Sequence, residues 1–137
     1  MIISRLHALI DSPFGAVLGG AVYGAWAFAV NHHAGAENAW LIGLSHWSLS
    51  TFLTFFGVRI MRICYGFGRW PLMSVGFSFA GSMVFTYVLL ISVHTFLGTP
   101  EILLTLAPGI LPTVGFAGGY SLLLYREERL DNGAQAA

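Results

Sequence analysis

Four long apolar blocks, separated by short polar stretches, set the pattern of this chain. They cover residues 13–31, 39–64, 71–97 and 100–125, and about 20 apolar residues are enough to cross a bilayer. The pattern predicts an all-α integral membrane protein, an antiparallel four-transmembrane-helix bundle occupying residues 13–125. Ahead of it, Ile2, Ile3, Leu6, Leu9 and Ile10 alternate with Arg5, His7 and Asp11, the spacing of a short amphipathic helix lying in the membrane interface over residues 1–12. Behind it, residues 126–137 read as a polar cytoplasmic tail that frays.

Local signals fix where the helices start. Ser12 precedes Pro13, Asn38 precedes the second block, Pro71 opens the third, and Thr99-Pro100-Glu101 opens the fourth. Small polar residues suit the N-cap and proline suits the first helical position. Thr99 is therefore expected to cap span four, with Glu101 at its positive end.

Composition narrows the class. Hydrophobic residues make up 56% of the chain, charged residues 9%, and the mean hydropathy is +0.75. A soluble domain carries about 25% charged residues. After four spans the 137 residues leave no room for a soluble domain, and no basic patch points to nucleic acid. Cys64 is the only cysteine, which excludes an intrachain disulfide and a cysteine zinc site. Its place beside the arginines points to a reduced thiol at the cytoplasmic face.

A cleaved signal peptide is the competing account of the N-terminus, with Arg5 as its basic region and Ala27-Phe28-Ala29 as a small-residue cleavage site. The leading segment is long and already amphipathic, so residues 13–31 are expected to be a retained span. Orientation follows from the arginines. Arg5, Arg62, Arg69, Arg126 and Arg129 fall on one side of the four-span arrangement, with Arg59 near it. The positive-inside rule then places both termini in the cytoplasm, and the expected location is a bacterial inner (plasma) membrane.

Span one is rich in small residues, with Gly15/Gly19, Gly20/Gly24 and Ala21/Ala25 each four apart. Such pairs let helix backbones approach closely, within one chain or between copies.

Span two is the most polar of the four. At about 100° per residue, Gly43, His46, Ser50, Thr54 and Gly57 share one arc, while Ser45, Ser48, Phe52, Phe55 and Arg59 share another. The second arc leads to Arg59, so Ser45, Ser48, Arg59 and Arg62 are the candidate substrate-binding residues. A guanidinium grips a phosphate with two parallel hydrogen bonds. The plain alternative is an arginine that snorkels to the headgroups, and Arg59→Lys separates the two, since only the anchor tolerates lysine.

His46 and His94 fall at similar depth in neighbouring spans, near His32, His33, Glu37 and Glu101. His46, His94 and Glu101 are candidates for a proton-linked or polar-lining role. The spacing matches no metal motif, and ordinary hydrogen-bonded histidines are the alternative. In span four, Thr105, Pro108, Pro112, Gly115 and Gly119 recur every three or four residues. Each proline frees a carbonyl that something else must satisfy, which makes Pro108, Pro112 and Gly115 a candidate hinge.

No nucleophile elbow, phosphate-binding loop, dinucleotide fingerprint or carboxylate pair is present, so neither an enzyme nor a cofactor is expected. The function expected is transport or scrambling of an amphipathic anion, such as a lipid or polyprenyl-phosphate-linked sugar. Membrane lipid is then a partner, and the chain is a homo-oligomer or a subunit of a membrane complex. The alternatives are a non-catalytic accessory subunit of a larger complex and, behind it, a histidine-dependent proton or ion channel.

Overall fold

The computed structural model describes residues 13–135, with no side-chain description for Pro13, Gly15 and 131–135. The amphipathic segment 1–12, with Arg5 and the Ser12 cap, lies outside the described residues, as do the last two residues of the tail. The described residues are all-helical. Helix α1 is Pro13–Asn31, a 3-10 turn follows at His32–Ala34, α2 is Ala36–Tyr65, α3 is Pro71–Phe96 and α4 is Ile102–Gln135. Among the described residues three helices are long and apolar enough to cross a membrane: α2, α3 and α4 as far as Leu130. The tail expected to fray from Arg126 instead continues α4 to Gln135.

Polar side chains are as frequent as apolar ones among the buried positions, while large apolar side chains cover the surface. Buried positions include Asn31, His46, Ser78, His94, Thr105 and Ser121, while Phe96 and Leu103 are 91% and 84% exposed. In water, large exposed apolar surface on this scale is avoided. In hydrocarbon it costs nothing, and the polar groups must turn inward to find partners.

The chain divides into two compact units, one up to Phe55 with Val88–Gly109, the other Phe56–Tyr87 with Ile110 onward. In the first unit α1 and α2 cross on glycines. A Cβ built on Gly24 would stand 2.7 Å from the Gly43 carbonyl oxygen and 2.8 Å from Trp47 Cβ, and one on Gly43 would stand 2.9 Å from the Gly24 carbonyl oxygen. Only glycine permits that approach. Gly20 is similarly filled by Thr51 and Trp47, whereas Gly19 faces open space.

Two indoles tie α1 to other helices of this unit. Trp47 Nε1 donates to the Val17 carbonyl at 2.9 Å, and Trp26 Nε1 donates to the Leu104 carbonyl at 3.0 Å. The second bond has a specific cause. In an α-helix the Leu104 carbonyl would accept from the amide at position 108, and Pro108 has none. Trp26 supplies the missing donor.

In the second unit α2 meets α3 where a Cβ on Gly81 would lie 2.5 Å from Cys64 Sγ. Ser74, Ser78 and Ser82 are buried along one face of α3, and Ser121 of α4 donates to Ser78 Oγ at 2.9 Å.

Candidate site: a buried histidine pair

The C-terminus of α3 builds the site. Gly98 adopts φ +64°, the left-handed conformation that glycine takes at little cost. The Thr99 amide then donates to the His94 carbonyl at 2.9 Å, and the Gly98 amide to the Thr95 carbonyl at 3.1 Å. This is the Schellman pattern that closes a helix. It folds Thr99 back over α3, so its hydroxyl meets His94 Nδ1 at 2.9 Å. Thr99 therefore finishes α3 and does not cap α4, contrary to the reading of Thr99-Pro100 as a helix start. The first carbonyl of α4 to accept a helical bond is that of Glu101, from the Thr105 amide at 2.8 Å.

The other face of His94 meets α2. His94 Nε2 and His46 Nδ1 are 2.7 Å apart, with ring centroids 5.0 Å apart. His94 is fully buried and His46 is 4% exposed. Tyr23 of α1 presents an edge to His46 at 6.5 Å between centroids.

The proton positions follow from counting donors. Thr99 is buried and its hydroxyl has one partner, His94 Nδ1. If that nitrogen carried the hydrogen, the hydroxyl hydrogen would be left unshared, at about 1–3 kcal/mol. Thr99 therefore donates to Nδ1, His94 Nε2–H donates to His46 Nδ1, and His46 carries its hydrogen on Nε2. Among the described residues the one buried side-chain N or O atom lacking a partner is Thr51 Oγ1, so His46 Nε2, which no residue pairs, is not sealed off.

Asn31, the last residue of α1, makes the second half of the buried network. Its Nδ2 donates to the Ala27 carbonyl and to Thr105 Oγ1, each at 2.8 Å. Its Oδ1 accepts the Glu101 amide at 3.2 Å. That amide is one of the unpaired donors every helix leaves at its start, and a side chain from another helix satisfies it. Thr105 Oγ1 in turn donates to the Glu101 carbonyl at 2.6 Å.

The residues singled out in the sequence are placed as follows. His46 and His94 are brought into direct contact. Glu101 joins through its backbone, its side chain being exposed. His32, His33 and Glu37 are exposed, and His32 Nδ1 donates to the Ala29 carbonyl of its own turn at 2.8 Å. No three His, Cys, Asp or Glu side chains come together among the described residues. In the same unit, Ser45 is half-buried, and Ser48 is exposed with its hydroxyl turned back to the Leu44 carbonyl of its own helix at 2.9 Å.

In the second unit, Arg59 is exposed and has no hydrogen bond or ion pair among the described side chains. Arg62 is engaged, its Nε donating to Tyr120 Oη at 2.8 Å and its guanidinium lying 3.8 Å from Glu127. Pro108, which belongs to the first unit, is exposed, as are Pro112 and Gly115 of the second, and α4 continues as helix through all three.

The sequence alone does not single out Asn31, because its value depends on which helix start it meets. Gly98 is the sequence signal that gives Thr99 to α3. Comparison of the chain with protein families, with curated proteins and with solved structures finds no match.

Proposed function

We propose that this chain is a small polytopic membrane protein with proton-linked transport, in which the His46–His94 pair carries the proton. α1, at roughly 28 Å by its 19 residues, serves as a fourth span beside the three longer helices. The one-sided arginines support a topology with both termini cytoplasmic, and a bacterial inner membrane is the location proposed with it. The observation that carries the proposal is the 2.7 Å contact between two buried imidazoles on different membrane-length helices. Ionisable side chains inside membrane helices mark ion and proton paths more often than they serve packing, and a serine or asparagine would make the same interhelical bond without a titratable group.

The line Thr99–His94–His46 can pass a proton with charge conserved. The Thr99 hydroxyl proton moves to His94 Nδ1, the His94 Nε2 proton moves to His46 Nδ1, and the His46 Nε2 proton leaves as Thr99 takes a replacement. The pair then holds the reversed polarity, and each ring must return by tautomer exchange before the next passage. In proteoliposomes with an internal pH dye and an imposed potential, the protein should carry protons faster than empty vesicles. His94→Phe and His46→Phe should reduce the flux to the empty-vesicle rate while helical content holds. A wild-type rate equal to that of empty vesicles, or histidine variants of undiminished rate, overturns the reading.

A second reading, transport or scrambling of an amphipathic anion, draws on Arg59, whose guanidinium is exposed with no carboxylate partner among the described side chains. Labelled lipid in the same vesicles tests it, with Arg59→Lys retaining movement only if the residue is a simple anchor.

A further inference from the structure

The second unit contains an apolar groove of about 420 Å³, lined by Trp70, Pro71, Leu72 and Val75 from the start of α3 and by Leu122 and Tyr125 of α4. Its volume falls within the range of sites for small molecules. Position along the helix puts positive charge at this groove. Leu122, Tyr125, Arg126 and Arg129 follow the i, i+3, i+4, i+7 spacing of a single helix face. The Arg129 guanidinium lies 5.6 Å from the centre of the Tyr125 ring, which lines the groove. Arg69 is the residue before Trp70, and Arg69, Arg126 and Arg129 are all exposed.

The neighbouring carboxylates are occupied elsewhere. Glu127 faces Arg62, and Glu128 accepts a hydrogen bond from Tyr65 Oη at 2.6 Å. Both fall off the face that holds Arg126 and Arg129. The groove is therefore apolar in its lining, with three exposed arginines beside those lining residues in sequence or on the same helix face, none of them paired with a carboxylate among the described side chains.

We infer that this groove binds an anionic phospholipid, an acyl chain lying along Trp70, Leu72, Val75 and Leu122 and the phosphate resting on Arg69, Arg126 and Arg129. The charge complementarity selects an anionic lipid over a zwitterionic one, and the trough selects a lipid over a free anion. The site is separate from the histidine pair and holds whether or not protons are carried.

Native mass spectrometry of the detergent-solubilised full chain, titrated with phosphatidylglycerol or phosphatidylcholine, tests it. Wild type should retain phosphatidylglycerol preferentially. Arg126→Gln and Arg129→Gln should each weaken that retention about fivefold, the effect of one cation near an anionic headgroup. Val75→Trp, which fills the trough and leaves the arginines, should also weaken it. Equal retention of the two lipids, or phosphatidylglycerol retention untouched by all three substitutions, overturns the proposal. Full displacement of phosphatidylglycerol by millimolar inorganic phosphate overturns it as well, since it leaves the trough without a part.

Discussion

The two compact units solve the same problem with different chemistry. The first holds no arginine or lysine among its described residues and buries an amide and two imidazoles, Asn31, His46 and His94. The second carries Arg59, Arg62, Arg69, Arg126 and Arg129, keeps them at its surface, and among polar side chains buries hydroxyls alone in its described residues, Ser74, Ser78, Ser82 and Ser121. A serine hydroxyl is small, and when no partner is near it can bond its own helix, as Ser82 does with the Phe79 carbonyl at 2.9 Å. Asparagine and histidine are larger and need partners on other helices. The first unit is therefore the one whose polar interior specifies a single arrangement of helices, and the one whose interior holds ionisable side chains.

Glycine contacts give the largest expected difference. At Gly24 the obstacles to a Cβ are the backbone oxygen of Gly43 and the Cβ of Trp47, neither of which can rotate away. At Gly81 the nearest obstacle is Cys64 Sγ, with Cys64 Cβ at 3.1 Å, and the sulfur can change rotamer. Gly24→Ala should destabilise the fold by about 1–3 kcal/mol through overpacking. Gly81→Ala should fall well below that, since the sulfur can turn aside while the helix propensity that alanine recovers, about 1 kcal/mol, is the same at both sites. Unfolding in mixed detergent micelles measures both, and equal losses at the two sites would remove the distinction between the crossings.

The buried networks should differ next. Asn31→Ala removes three hydrogen bonds at once and leaves the Glu101 amide without its acceptor. A loss of about 1–3 kcal/mol is expected. Replacing Ser78 and Ser121 together by alanine removes donor and acceptor as a pair and should be close to neutral, because no group is stranded. If the double serine variant proves the more damaging, the hydroxyl seam carries more than local bonding.

Much of this organisation can be read from the sequence where a single local rule decides. Proline marks the starts of α1 and α3 at Pro13 and Pro71, and the Gly20/Gly24 spacing marks a close helix contact that α2 does occupy. Two rules competed at Thr99-Pro100, and glycine at Gly98 won because a left-handed residue closes α3 before proline can open α4. The histidines can be placed near each other from depth alone, but their direct bond depends on helix rotation, which the two polar arcs of α2 leave open. Ser48 shows the limit from the other side. Its position on a polar arc is legible, while its preference for its own helix carbonyl is a local competition that the spacing does not reveal.

The smallest effect expected is also the one that decides what Pro108 does. Read alone, a proline in α4 is a candidate hinge; paired with Trp26, it is a docking point. Trp26→Phe removes the indole donor and strands the Leu104 carbonyl, which in membrane proteins is worth about 0.6 kcal/mol. Pro108→Ala restores a backbone amide to the same carbonyl, so the indole becomes redundant. The cost of Trp26→Phe should therefore vanish in the Pro108→Ala background, and the double-mutant cycle should show a coupling of about the size of the single loss. A hinge predicts otherwise: Pro108→Ala would slow transport in vesicles with tryptophan or phenylalanine at position 26 alike, and the stability cycle would show no coupling.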